Sequence, residues 1–260
     1  MPKLPASSKK IESFGFFPGT TLANKKYEVV AKIGQGWESE VYMLRELSTG
    51  IEMAAKFFFP HRNVKGKISA RYAKKLHKLR NCPVLIRYFT QENIIFKDTP
   101  ITFLVSDFIE GVQLSEFIAS KPGQRLSTFE ALHLLYSLCQ GLEDVHRSKE
   151  YHGDLHSDNI MIKRKGIGFE IRILDPYEWK ARVREIILDD VCNLIRIFYD
   201  AIGGVKFYNR QPQEVKSIVC GLKRTLIAKK FKTAGDLRVY LENMKSVSYT
   251  HLTLPTICSV

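Results

Sequence analysis

The chain has 260 residues, of which 45% are hydrophobic and 26% charged, a balance typical of a soluble globular protein and not of a disordered one. This length suffices for one large or two small lobes with a buried core. Forty basic and 27 acidic side chains give a net charge of +13, which favours polyanionic partners, nucleotides included.

The sequence shows neither a signal peptide nor a membrane-spanning pattern. The first ten residues are polar and basic, and no long apolar run follows them, so we expect no signal peptide and no membrane span. The five cysteines are far apart, which is typical of reduced core residues. We therefore expect a cytoplasmic protein.

Residues 1–24 contain three prolines and paired lysines, which predicts a loosely attached N-terminal arm. The first strand, predicted over residues 27–33, leads into the pattern Gly34-x-Gly36-x-x-Ser39-x-Val41. Glycines between apolar strands allow a tight turn whose N–H groups can approach an anion, and Val41 can cover a flat base. A plain glycine-rich hairpin turn is the alternative.

A single lysine, Lys56, stands inside the apolar strand predicted over residues 53–59. An unpaired ammonium is costly to bury, so an interior lysine implies an anionic partner. The alternative is an edge strand from which the lysine reaches solvent.

A basic helix is predicted from Lys67, because apolar residues recur there at helical spacing. No acidic residue lies between Glu52 and Glu92. Such a run is typical of a solvated helix face, and a nucleic-acid surface is an alternative that we rank lower.

Two further strands, predicted over residues 84–89 and 101–105, complete a five-stranded antiparallel small lobe with one helix. A glycine-containing connection from Ser106 to Leu114 then leads into a larger, mainly helical lobe. The predicted class is therefore α+β with two lobes, over residues 25–110 and 111–245.

The stretch from Tyr151 to Ile162, with the sequence YHGDLHSDNIMI, follows a long helix that opens with the capping box Ser127-x-x-Glu130. Within it, Asp154 and Asn159 are five residues apart, and Asp175 ends what is predicted to be a returning strand. One carboxylate that accepts a hydroxyl proton, with an amide and a second carboxylate that hold Mg²⁺, is the set that phosphoryl transfer needs. A polar turn before a hairpin is the alternative.

In this order and spacing the motifs resemble those of the protein-kinase-like superfamily, over residues 25 to 245. The resemblance implies ATP and Mg²⁺ as cofactors, with Asp154, Asn159 and Lys56 as catalytic residues and Asn159 and Asp175 as metal ligands. The implied nucleotide-binding residues are Ile33, Gly34, Gly36, Ser39, Val41, Ala54, Lys56, Asp107 and Ile109. It also implies that Ser106 lies at the back of the nucleotide pocket, that Asp107 and Ile109 offer the backbone amides and carbonyls of the hinge, and that His152 and Asp190 support the catalytic loop.

The small lobe departs from the family pattern at two points. Ser39 stands in place of the third glycine of the loop, and the predicted helix lacks the glutamate that pairs with the strand lysine. We therefore hypothesise that Glu38 or Glu40 supplies the ion pair to Lys56.

The segment after Asp175 departs further. It continues as Pro176-Tyr177-Glu178-Trp179 in place of Phe-Gly, and only fourteen residues separate Asp175 from Asp190. Gly153 also replaces the arginine that holds an activation-loop phosphate in regulated kinases. Control by phosphorylation of this segment is therefore not expected.

The rest of the large lobe is predicted to be helical. An apolar helix is predicted over residues 190–199, and further helices over about 214–226 and 234–244. Residues 246–260 continue neither helical pattern, and we interpret them as a non-native read-through tail.

Our first hypothesis is an ATP- and Mg²⁺-dependent phosphotransferase that transfers the γ-phosphate to a hydroxyl, in the manner of a bacterial protein serine/threonine kinase. A nucleotide-binding pseudokinase is an alternative, favoured by the missing helix glutamate and by Pro176. A small-molecule kinase of aminoglycoside or choline type is another, favoured by the short segment and by His156. The sequence leaves the acceptor open, whether a protein or a small molecule.

Overall fold

The structure is a computed structural model that describes residues 10–166 and 168–244. The chain forms two compact units, divided between Glu110 and Gly111. The first unit is a β-rich small lobe and the second is mainly helical, so the predicted α+β class is confirmed. Residues 246–260, interpreted above as a non-native tail, lie outside the described residues.

The small lobe is built on one antiparallel sheet with the strand order β1-β2-β3-β4-β6-β5. Its elements are β1 (Thr21–Leu22), β2 (Tyr27–Gln35), β3 (Ser39–Glu46), β4 (Glu52–Phe58), α1 (Lys67–Lys78), β5 (Tyr88–Phe96) and β6 (Thr99–Asp107). Five of these strands are the long ones that the sequence indicates, and β1 is an additional two-residue strand. The apolar residues 84–86, predicted as strand, form a buried connection instead, and β5 begins only at Tyr88.

The prediction of a loosely attached arm is wrong for residues 10–24. Phe14 is 5% exposed and stacks on Phe59 with ring centroids 5.4 Å apart, and Thr21 and Leu22 pair with β2. The prolines and lysines of this segment led to the prediction of a loose arm. Its aromatic rings, however, bury the apolar area that holds the segment on the sheet.

Aromatic side chains form the core of the small lobe. Phe57 of β4 and Phe103 of β6 are fully buried and stacked with ring centroids 4.4 Å apart. Offset aromatic stacking adds about 1 kcal/mol to the burial of apolar area. These residues fix the strand that carries Lys56 in the middle of the sheet.

Helix α1 has no side-chain cap on the residue that precedes it, Gly66. Instead, the Asn63 side chain accepts hydrogen bonds from the backbone N–H groups of Ile68 and Ser69, at 3.0 and 3.1 Å. These bonds satisfy two of the donors that every helix leaves unpaired at its first turn. Leu76 lies on the buried side of the helix.

The large lobe contains a small sheet and seven helices within the described residues. The antiparallel sheet joins β7 (Val112–Gln113), β8 (Ile160–Lys165) and β9 (Gly168–Ile173). The helices are α2 (Leu114–Ala119), α3 (Thr128–Arg147), α4 (Val183–Ala201), α5 (Gly204–Tyr208), α6 (Gln213–Val219), α7 (Arg224–Lys230) and α8 (Ala234–Glu242). The predicted capping box is confirmed at the start of α3, between Ser127 and Glu130.

Two helix predictions need correction. The helix predicted over about 214–226 is two short helices, α6 and α7, because the chain turns at Gly221, whose φ is +59°. The apolar helix predicted from residue 190 begins seven residues earlier, at Val183. Among the described residues, no helix combines the length and apolar character needed to cross a membrane.

Candidate active site

The glycine-rich turn joins β2 to β3. The N–H of Gly36 donates to the carbonyl of Ser39 at 2.9 Å, and Gly34 pairs with Val41 across the strands. A Cβ added at Gly36 would meet no heavy atom of the described chain within 4 Å, so the tip of the turn is open. The space beside Gly36 is therefore available to a ligand such as a phosphate.

Lys56 is largely buried in the small lobe. Its Nζ lies 3.3 Å from Glu38 Oε1, and the two side chains are 12% and 23% exposed. The ammonium also lies over the ring of Tyr72 from α1, 4.6 Å from the ring centroid. Of the two glutamates proposed from the sequence, Glu38 is thus the one beside the lysine.

Glu40 has a different role. Its fully buried carboxylate accepts hydrogen bonds from Lys32 Nζ at 2.6 Å, Tyr42 Oη at 2.6 Å, Ser13 Oγ at 2.8 Å and the N–H of Phe14 at 3.0 Å. Burial alone would raise the pKa of Glu40, but the hydrogen bonds outweigh it and lower the pKa to about 2. Glu40 therefore anchors the N-terminal segment to the sheet.

The other predicted nucleotide-binding residues lie along the same sheet. Ile33 of β2 is 45% exposed, and Ala54 of β4 pairs with Ser106 of β6. Asp107 is the last residue of β6, and its N–H donates to the carbonyl of Arg87 at 3.1 Å, so this amide is already engaged. Ile109 follows two residues beyond the end of the strand.

The catalytic-loop pair, Asp154 and Asn159, is held together in the large lobe. Asn159 Nδ2 donates to the main-chain carbonyl of Asp154 at 2.9 Å and approaches its carboxylate at 3.4 Å. Because the nitrogen is used in this way, the amide oxygen is the atom that remains for a cation. The carboxylate of Asp154 belongs to a side chain that is 54% exposed, so it can reach an acceptor hydroxyl.

Asp190 of α4 fixes the start of this loop from a fully buried position. Its carboxylate accepts hydrogen bonds from the N–H groups of His152, at 2.6 Å, and Gly153, at 2.9 Å. His146 of α3 lies 3.4 Å from the same carboxylate. The support of the loop by Asp190 that the resemblance implied is therefore present in the geometry.

The buried imidazole of His152 connects the loop to the end of β9. Its Nε2 lies 2.7 Å from the carbonyl of Leu174, and its Nδ1 lies 3.3 Å from the N–H of Asp154. A carbonyl can only accept, so Nε2 carries the hydrogen and Nδ1 accepts. Both ring nitrogens are used structurally, which indicates a supporting and not a chemical role for His152.

Asp175 follows β9 with a φ of +52°, a conformation that few residues other than glycine adopt. The N–H of the preceding residue, Leu174, donates to the carbonyl of Asn159 at 2.8 Å, so this hydrogen bond brings the backbone of one predicted metal ligand beside the residue that precedes the other. One carboxylate and one amide oxygen suit Mg²⁺, which takes few protein ligands and completes its shell with phosphate and water. Within the described residues, no group of three or more His, Cys, Asp or Glu side chains offers a competing all-protein site.

His156 lies between two carboxylates of the loop. Its Nε2 is 3.9 Å from Asp154 Oδ2, and its Nδ1 is 3.7 Å from Asp158 Oδ2. All three side chains are about half exposed, so the histidine is close to the predicted base but open to solvent.

Sequence reasoning missed two aromatic residues that contact the catalytic loop. Tyr151 Oη accepts a hydrogen bond from the N–H of Trp179, and the indole N–H of Trp179 donates to the carbonyl of Gly153 at 2.6 Å. Tyr151 opens the motif itself and Trp179 lies in the unusual segment after Asp175, but no spacing rule links the two residues.

Known proteins share sequence with this chain. Residues 27–176 match the protein kinase domain model. Human death-associated protein kinase 2 is 27% identical over 177 residues, which cover 66% of this chain and 43% of that protein. The serine/threonine-protein kinase pkn2 of Myxococcus xanthus is 25% identical over 161 residues, or 61% of this chain and 18% of that protein. The chain thus spans less than half the length of either relative.

The fold is also that of solved kinases. The kinase domain of PknI from Mycobacterium tuberculosis gives a TM-score of 0.63 at 15% identity, over 88% of this chain and 97% of that one. Rad53 in complex with AMP-PNP gives 0.64 at 19% identity, over 84% and 60% of the two chains. Because the domain model spans more than half of the residues, including Lys56, Asp154, Asn159 and Asp175, the chain belongs to the protein kinase domain family.

Proposed function

We propose that this chain is an ATP- and Mg²⁺-dependent phosphotransferase that transfers the γ-phosphate to a hydroxyl of a protein serine or threonine. The observation that carries the proposal is the organised pair of Asp154 and Asn159, joined by the 2.9 Å hydrogen bond. A carboxylate held at a fixed distance from a metal-binding amide is the arrangement that orients a hydroxyl toward a phosphate.

The nucleotide is expected at the glycine-rich turn and Lys56. The open tip at Gly36 offers room for phosphate oxygens, and Glu38 lies beside the lysine ammonium and orients it. Rad53, a structural relative, binds the ATP analogue AMP-PNP, which supports ATP as the donor. Asn159 and Asp175 would hold Mg²⁺, which neutralises charge on the transferred phosphate.

The pairing of Lys56 with Glu38 bears on the pseudokinase alternative. That alternative rested on the absence of a glutamate from α1 and on the variant sequence Asp175-Pro176-Tyr177. Since the loop supplies a carboxylate at 3.3 Å, the lysine has a counter-ion without the helix. We therefore favour an active enzyme.

The test is transfer of label from γ-labelled ATP, with Mg²⁺, by the full chain to itself or to a generic acceptor protein. Asp154→Asn should lower the rate by about 10²- to 10⁴-fold, because it removes the proton acceptor without changing the shape of the side chain. Asp158→Asn is the matched control, since it removes a neighbouring exposed carboxylate and should change the rate far less.

Equal rates in the Asp154 variant and the wild-type chain would contradict the proposal. A wild-type chain that binds ATP but transfers no phosphate to protein would favour the pseudokinase, unless the acceptor is a small molecule. That second candidate is supported by the short segment after Asp175 and by His156, 3.9 Å from Asp154. Label transfer to an aminoglycoside or choline would then identify it.

A further inference from the structure

The segment that follows Asp175 folds back onto the catalytic loop. The N–H of Tyr177 donates to the carbonyl of His152 at 2.8 Å, and the indole N–H of Trp179 donates to the carbonyl of Gly153 at 2.6 Å. The match with the protein kinase domain model ends at Pro176, so Tyr177 and Trp179 lie just beyond the matched residues. We call residues 176–179 the brace.

The brace completes the hydrogen bonding of the two residues before Asp154. Asp190 accepts from both N–H groups of His152 and Gly153, and the brace donates to both of their carbonyls. All four main-chain polar groups of these two residues therefore have a partner. Displacing these two residues would break all four bonds, and loss of the buried bond from the His152 N–H to Asp190 would leave a desolvated donor unpaired.

Tyr151 fixes the brace from within the loop. Its hydroxyl accepts from the N–H of Trp179 at 3.1 Å and donates to the carbonyl of the same residue at 3.2 Å. The tyrosine is 5% exposed, so its ring is held by packing. The Tyr151 hydroxyl thus hydrogen-bonds both the N–H and the carbonyl of Trp179, and so fixes the backbone position from which the indole reaches the loop.

Gly153 is the residue that permits this approach. Its φ is +87°, and a Cβ placed on it would lie 2.7 Å from the carbonyl oxygen of Tyr177 and 3.1 Å from Cδ1 of Trp179. A side chain at residue 153 and the brace cannot both be present without a shift of backbone. The glycine and the short segment therefore form one structural unit.

Phosphorylation of serine or threonine cannot serve as a switch within this unit. The sequence contains no serine or threonine between Ser157 and Ser217, and Tyr177 is the one hydroxyl from Asp175 to Asp190. The half-exposed rings of Tyr177 and Trp179 lie 4.9 Å apart and pack on each other. The contacts that order the loop in this structure therefore involve no serine or threonine.

We propose that Trp179 and Tyr151 are positioning residues that hold the catalytic loop in its working geometry, so that phosphoryl transfer needs no phosphorylation of the segment after Asp175. This inference rests on the proposed function for its kinetic consequence. The structural part, that the brace orders residues 152–154, stands without it.

The test compares Trp179→Phe and Tyr151→Phe with the wild-type full chain. Trp179→Phe keeps an aromatic ring but removes the indole donor, and Tyr151→Phe removes only the hydroxyl. Tyr136→Phe is the matched control, because it removes a partly buried hydroxyl that bonds Glu242 at 2.9 Å elsewhere in the lobe. The two readouts are amide hydrogen exchange of the peptide that spans residues 152–155, and kcat and KM for ATP.

Both brace variants should exchange these amides at least about tenfold faster than the control. Where the wild-type chain transfers phosphate, kcat should fall at least about tenfold while KM for ATP changes less than about twofold, because only the chemical step needs the loop geometry. Treatment of the wild-type chain with a phosphatase should leave kcat unchanged.

Exchange rates equal to those of the control in both variants would overturn the inference, as would loss of kcat after phosphatase treatment. If Trp179→Phe fails to fold, the milder Tyr151→Phe decides. A wild-type chain without turnover contradicts the proposed function alone, and the exchange measurement still decides whether the brace orders the loop.

Discussion

Glu38 Oε1 lies 3.3 Å from Lys56 Nζ, so the partly buried lysine of β4 is paired with a residue of the glycine-rich turn and not with one of α1. The pairing follows from strand register, since Ser39 lies opposite Phe58 and the N–H of Phe59 donates to the carbonyl of Glu38 at 2.9 Å. The helix contributes the ring of Tyr72 to the lysine instead of a carboxylate. The ion pair and the pairing of β3 with β4 therefore link the position of the glycine-rich turn to the position of the Lys56 ammonium.

Glu38→Gln should lower kcat for phosphate transfer by about ten- to a hundredfold, with a smaller change in KM for ATP. The substitution keeps the size of the side chain but removes the charge that orients the ammonium. Steady-state rates with γ-labelled ATP measure it. Glu52→Gln, which removes an exposed carboxylate from the same region, is the control, and a Glu38 variant with the rates of that control would contradict the role of the ion pair.

Glu40→Gln should instead act on stability. The buried carboxylate accepts from Lys32, Tyr42, Ser13 and Phe14, and an amide cannot accept from all of them. We expect the free energy of unfolding to fall by about 3 kcal/mol, the scale for breaking a buried charged network. Urea denaturation measures it, and kcat at a temperature where the variant is folded should stay near that of the wild-type chain.

The same carboxylate predicts the response of the small lobe to acid. The pKa of Glu40 is lowered to about 2 in the folded chain from 4.5 for an ordinary glutamate, so its contribution to stability is complete above pH 4.5. It is lost as the pH falls from about 4.5 toward 2, because the unfolded chain then binds the proton more readily. The difference in unfolding free energy between wild-type and Glu40→Gln chains should shrink over this range, and a constant difference would contradict the assignment.

The local motifs could be predicted from the sequence because they depend on neighbouring residues. The capping box of Ser127 and Glu130, the turn at Gly34 and Gly36, and the strand that contains Lys56 all follow from composition and spacing. The α+β class follows from their order. Predicting these features requires no information about which residues pack against them in the folded chain.

Contacts between distant parts of the chain could not be predicted in the same way. Glu38 and Glu40 are equivalent in the sequence, and only the pairing of β3 with β4 and the packing of Phe14 separate their roles. The bond from Trp179 to Gly153 joins residues 26 apart through an irregular segment. Periodicity carries no information about such contacts, because they depend on how irregular backbone is placed by the packing of the lobe.

Asp190→Asn should destabilise the large lobe and slow catalysis together. The fully buried carboxylate accepts from the N–H groups of His152 and Gly153, and an amide in its place would direct an N–H₂ group toward one of those donors. We expect a loss of about 3 kcal/mol in the free energy of unfolding. Asp189→Asn is the matched control, since the adjacent carboxylate is exposed and pairs with Arg224 at the surface, and it should cost less than about 1 kcal/mol. Equal losses in urea denaturation would contradict the supporting role of Asp190.

Gly153→Ala separates backbone strain from steric conflict. The alanine must adopt a φ of +87° and also brings a Cβ to within 2.7 Å of the Tyr177 carbonyl oxygen, whereas Gly221→Ala meets a φ of +59° with open space around it. The control should therefore lose about 1 kcal/mol of unfolding free energy from backbone strain alone. The Gly153 variant should lose about 2 to 4 kcal/mol, because the brace or the loop must also move. Urea denaturation of both variants measures the difference.

Similar losses in the two variants would mean that the segment after Asp175 can move away from the loop at little cost in free energy. The close packing of brace and loop would then have no energetic consequence.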